Sequence, residues 1–123
     1  MRPDSALWFD KAQEDYLAAE WLLKEDSPVV LPAVFHIQQC AEKLLKGYLT
    51  EKLIEFEKKH DLTYLLTLSP SDSLLEFNDF LEEMSPFAVE IRYPGDFHPI
   101  HRDEGNEFFF KLKSFREAIM RAL

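Results

Sequence analysis

Apolar residues recur along this chain at three- and four-residue intervals, the spacing that returns to the same face of an α-helix. Trp8, Ala12, Tyr16, Ala19 and Leu23 form the first stripe, following candidate cap residues in Pro3-Asp4-Ser5 and running to about Lys24. Asp26-Ser27-Pro28 ends it. A second helix is predicted from Pro32 to about Glu55, with Val34, Ile37, Ala41, Leu44, Leu45 and Tyr48 on one side. At about 1.5 Å per residue it is roughly 35 Å long and should be the central element.

His60-Asp61-Leu62-Thr63 starts a short third helix through Leu68, with Asp61 as its cap. Ser73-Leu74-Leu75-Glu76 reads as a capping box for a fourth, whose stripe is Leu74, Phe77, Leu81, Met84 and Ala88. From Arg92 to Arg102 the chain carries Pro94, Gly95 and Pro99 and reads as a loop. Asp103 can cap the last helix, with Phe108, Leu112, Phe115, Ile119 and Ala122 as its core face. No stretch alternates with period two, so a sheet is not expected. The predicted fold is all-α, an antiparallel four-helix bundle with an additional short helix, in a single domain over residues 1–123.

The opposite side of the long helix is unusual. Gln38, Gln39, Glu42, Lys43 and Lys46 gather there, yet Phe35, Leu49 and Leu53 intrude toward the ends, which a purely solvated face would not require. Gly47 lies in the helix interior, where it costs up to about 1 kcal/mol relative to Ala; a close helix crossing and simple sequence drift both account for it.

Composition narrows the function. A length of 123 residues with 46% hydrophobic and 30% charged content suits one soluble globular domain. The lone Cys40 excludes an intrachain disulfide, and no apolar run is long enough to span a bilayer; a cytoplasmic protein with no membrane role is expected. Fourteen basic and 23 acidic side chains give a net charge of −9, so any RNA contact must be local. Between Lys59 and Arg92 there is no Lys or Arg, while Lys111, Lys113, Arg116 and Arg121 concentrate near the C-terminus. A basic helix end also suits the helix macrodipole.

The Gln-rich helix with its Glu42-Lys43-Leu44-Leu45-Lys46 run resembles the HEPN family (higher eukaryotes and prokaryotes nucleotide-binding). Trp8, Ala12, Tyr16 and Ala19 upstream, then His60-Asp61-Leu62, then Arg92-Tyr93-Pro94, follow in matching order over nearly the whole chain. Apolar residues on both sides of the long helix and seventeen aromatics in so small a chain predict a homodimer, and Arg92-Tyr93-Pro94 is similar to the branch that accompanies nucleotidyltransferases in toxin-antitoxin-like pairs. The resemblance also implies, as an alternative, a ribonuclease, because nuclease members carry an Arg-x(4 to 6)-His pair that cleaves RNA without metal at a dimer interface.

Arg92 and His98 are the candidate catalytic pair, spaced Arg-x5-His. Arg can hold a phosphate bidentately and His can move a proton near neutrality. Tyr93 departs from the polar residue common at that place in the nuclease branch, and the alternative is an ion-paired Arg92 and an ordinary loop histidine. Gln38, Gln39, Lys43 and Lys46 are the candidate nucleotide-binding residues, amides reading a base and lysines neutralising phosphate. Their alternative is a solvated face, on which Glu42 and Lys46 form an i,i+4 pair contributing about 0.2 to 0.5 kcal/mol. His36 reads as a helix-surface group and His60 as a helix-entry group. His101 with Asp96, Asp103 and Glu104 has no metal-ligand signature, so neither metal nor cofactor is expected.

Overall fold

The computed structural model describes residues 1–24, 29–88 and 99–123; Arg92 and His98 lie outside them, as do the Asp26-Ser27-Pro28 break and Glu90. Among the described residues there are five α-helices and no strand, in agreement with the all-α expectation. Three are long: α1 (Pro3–Leu22), α2 (Leu31–Glu51) and α5 (Arg102–Ala122). Two are short: α3 (Leu62–Thr67) and α4 (Asn78–Met84), the latter flanked by 3-10 turns over Asp72–Phe77 and Ser85–Phe87. No described helix is long and apolar enough to cross a membrane.

α2 is the axis of the molecule. Ile37, Leu44, Leu45, Tyr48 and Leu49 are essentially inaccessible to water, and each such side chain contributes roughly 1.5–3 kcal/mol on burial. α1 lies antiparallel along one side of it, so that Arg2 N–H reaches the Glu51 carboxylate at 2.9 Å while Asp15 meets the middle of α2. α5 packs on another side through Leu112, Phe115 and Ile119, and Phe115 meets Phe77 edge-on at 5.2 Å between ring centres. Leu62, Leu65, Leu74, Leu81 and Met84 close the remaining face from α3 and the α4 region.

Gly47 marks the close crossing of α1 and α2. A Cβ there would sit 3.0 Å from two Phe9 ring carbons and 3.1 Å from Trp8 Cβ. Arg102, at the start of α5, donates to the carbonyl oxygens of Leu23 and Lys24 at 3.2 and 2.8 Å. A guanidinium at the α1 C-terminus satisfies carbonyls that the helix leaves unpaired.

Several boundaries differ from the sequence reading, each for a local reason. Arg2 is the N-cap of α1, and Ser5 is buried inside the helix. α2 stops at Glu51, not Glu55, because Leu53 takes a left-handed conformation (φ 59°) and Ile54 N–H bonds back to Leu49 O at 2.9 Å. This is a Schellman stop with leucine where glycine is usual. The Ser73 hydroxyl pairs with Ser71 Oγ at 2.7 Å and caps no helix, so the expected fourth helix is spread over 3-10 and α turns. The N-cap of α5 is His101, whose N–H donates to the Glu104 carboxylate at 3.3 Å. Asp61 does cap α3, accepting from Tyr64 N–H at 3.1 Å.

Candidate functional site

The polar face of α2 does not lie open to water. Gln38, Glu42 and Lys46 are buried, at 0, 3 and 6% exposure, and α1 contributes the buried Asp15 opposite them. Charges taken out of water must be paired, and here they form two carboxylate-centred clusters.

In the first, Asp15 accepts from His36 Nδ1 at 2.8 Å through one oxygen and from Lys43 Nζ at 2.5 Å through the other. His36 and Lys43 stand seven residues apart, two turns along α2, and the α1 carboxylate sits between them. In the second, Glu42 accepts from Lys46 Nζ at 3.0 Å and from Gln38 Nε2 at 3.4 Å. His60 Nδ1 closes that cluster at 3.0 Å from both Glu42 oxygens. Gln39 extends it by donating to Gln38 Oε1 at 2.6 Å. The Lys46 ammonium also lies 5.4 Å from the centre of the Trp8 ring and 5.9 Å from that of Phe56, within range of the attraction between a cation and a π-face.

A carboxylate accepts only, so in both clusters the histidine Nδ1 carries the hydrogen and Nε2 is the ring atom outside these bonds. A carboxylate that orients an imidazole in this way prepares it for proton transfer. Cys40 is fully buried and its thiol is pushed up to about 12, chiefly by desolvation and then by the negative Asp15, so it stays protonated and inert. Among the described residues no three His, Cys, Asp or Glu side chains gather around a common point that could hold a metal ion.

The four candidate nucleotide-binding residues are thus brought onto one side of α2, with both lysines already engaged. Lys43 is held by Asp15 and Lys46 by Glu42, while Gln38 and Gln39 bond to one another. The solvated-face alternative does not describe Glu42 and Lys46, whose pair is almost wholly excluded from water. His36 and His60 are more than a helix-surface group and a helix-entry group, since each is anchored to a carboxylate. Asp15 went unread in the sequence although it carried a signal: an acid beside Tyr16 on the inward side of a helix needs a cation opposite it.

The chain matches the model of the HEPN domain over residues 5–122. Its fold is similar to that in the crystal structure of TT1696 from Thermus thermophilus, with 23% identity and a TM-score of 0.78 over 99% of this chain and all of that one. It is also similar to that of ST0689, described as an archaeal HEPN homologue, with 22% identity and a TM-score of 0.73 over 98% of each chain. No curated protein gives a significant match.

Proposed function

Because this chain belongs to the HEPN domain family, a family of helical modules, we propose that it works as an interaction module that dimerises and partners a nucleotidyltransferase-type protein in a toxin-antitoxin-like pair. One observation carries the reading. Leu7, Leu17 and Trp21 stand 62, 50 and 68% exposed on the outer side of α1, with only the Lys24 ammonium lying over the Trp21 ring at 3.4 Å. With Asp10 and Glu14 they occupy i, i+3, i+7, i+10 and i+14, a continuous seam about 21 Å long.

The seam is apolar at both ends and carries Asp10 and Glu14 in the middle, Glu14 being paired with Lys11 at 3.6 Å. A second copy would bring like charge against Asp10, whereas a partner with a basic centre and apolar flanks complements it. The α1 seam is therefore assigned to the nucleotidyltransferase-type partner, and the homodimer to another surface. Nucleotide or RNA binding at Gln38, Gln39, Lys43 and Lys46 is the weaker part of the proposal, because phosphate would have to displace Asp15 and Glu42 from the two lysines.

Leu17→Glu and Trp21→Glu are exposed changes expected to leave the fold intact and to abolish the complex. Tagged wild type and both variants, expressed in the native host, are analysed by mass spectrometry for co-purifying nucleotidyltransferase. Absence of such a protein with wild type, or equal recovery with the variants, would end this reading. Light scattering on the isolated chain should report twice its 14.5 kDa mass.

A further inference from the structure

A cavity of about 420 Å³ lies between α5 and the α4 region, lined by Phe77, Phe80 and Phe110 together with Glu76, Asp79 and Glu83. Two features of the chain meet there. One is the stretch between Lys59 and Arg92 that has no Lys or Arg, and the other is Phe110, which stands 70% exposed on α5.

The negative charge of this cavity is only partly offset. Lys111 also lines it, and its ammonium is shared between Glu83 at 3.4 Å and Glu107 at 3.6 Å. Glu76 and Asp79 have no ion-pair partner among the described residues. The apolar part is continuous with the core, since the Phe77 and Phe80 rings lie 5.2 and 6.3 Å from that of the fully buried Phe115. Phe110 has no ring neighbour among the described residues, whereas Phe109 beside it packs on Tyr16 of α1 at 4.9 Å between ring centres. An isolated exposed phenylalanine is ordinary, but one that carries an apolar lining out to the surface beside unpaired carboxylates marks an interaction surface.

We propose that the groove between α4 and α5 is a docking surface for a basic segment of a partner protein, one that sets an arginine or lysine beside an apolar side chain. Charge and apolar area together select that occupant. A purely apolar partner would shut Glu76 and Asp79 away from water with nothing to pair them. A small polycation would satisfy the carboxylates and leave Phe110 uncovered. A basic segment answers both: the stem of its cation packs on Phe80 and Phe110, the head meets Glu76 and Asp79, and the neighbouring apolar side chain covers the rest of the Phe110 ring. Lys111 already occupies Glu83 and competes with the incoming cation. The surface is separate from the α1 seam, so the proposal holds whether or not that seam binds a nucleotidyltransferase.

Fluorescence anisotropy of the full chain with labelled dodecapeptides tests it, one built of arginine and leucine, one of arginine and glycine, and one of glutamate and leucine. The arginine–leucine peptide should bind, and the other two should bind about tenfold more weakly or not at all. Phe110→Ala should weaken binding about tenfold and Asp79→Asn about threefold, with unchanged melting temperatures. Lys111→Gln should tighten it about threefold by removing the competing cation, a change of sign that damage to the fold would not produce. Glu20→Gln, at an exposed carboxylate of α1, and Leu17→Glu in the α1 seam should leave the affinity within about twofold. No binding at about 100 µM, equal affinity for the arginine–glycine peptide, or unchanged affinity in Phe110→Ala would each overturn the proposal. Weaker binding in Lys111→Gln, or a loss in Glu20→Gln as large as that in Asp79→Asn, would do the same. So would displacement of the peptide by an equal concentration of spermidine, which would assign the groove to small polycations.

Discussion

Lys46 Nζ lies 3.0 Å from Glu42 Oε2 one helical turn away, and both side chains are more than nine-tenths removed from water. A pair of this kind on an open helix contributes only a few tenths of a kcal/mol. Buried, it behaves differently: the pair adds little net stability, but losing one member strands the other charge in a poor solvent.

Lys46→Met should therefore destabilise the protein by about 3 kcal/mol, and Glu42→Leu by a comparable amount, while the double substitution should recover most of the loss. Urea unfolding of the four proteins measures this. Single variants costing less than about 1 kcal/mol would mean that water reaches the pair.

Leu53 is exposed and takes the left-handed conformation in the Schellman stop of α2. For a residue with a Cβ that conformation costs roughly 1–2 kcal/mol, which glycine avoids. Part of the gain is lost to the greater freedom of glycine in the unfolded chain. Leu53→Gly should raise stability by about 0.5 kcal/mol, seen as a higher urea midpoint at unchanged slope. A lower midpoint would show that the Leu53 side chain stabilises the stop.

Asp61 accepts from Tyr64 N–H and from the Thr63 hydroxyl, and those bonds hold its carboxyl below the usual range. A depressed folded pKa gives stability that is present above the unfolded value of about 3.9 and is lost as pH falls through the folded one. Asp61→Ala should cost about 1 kcal/mol at about pH 7, with the difference from wild type shrinking below about pH 4. A difference that stays constant from about pH 7 to about pH 2.5 would show that the carboxylate is not the source of the cap.

Arg92 and His98 separate the interaction module from a nuclease. As a module, the chain is expected to leave total RNA whole in the presence of a chelator. Cleavage by wild type that falls about a hundredfold in both Arg92→Ala and His98→Ala, with unchanged melting curves, would establish the ribonuclease alternative.

Sequence periodicity determined much of this protein. The stripes of α1, α2 and α5 were legible because an amphipathic helix writes its buried face into its own three- and four-residue spacing, and Asp61 was legible because a cap is a local bond. Asp15, His36, Lys43, Glu42 and His60 were not legible as clusters, because nothing within one helix reveals which charge the opposing helix supplies. The placement of α1 against α2, closest at Gly47, brings Asp15 between His36 and Lys43, while the chain entering α3 carries the exposed His60 to Glu42. The stop at Leu53 and the broken turns around α4 also escaped the pattern. There local bonds decide, the Ile54 N–H to Leu49 O bond and the Ser71–Ser73 hydroxyl pair, and hydrophobic spacing does not report them.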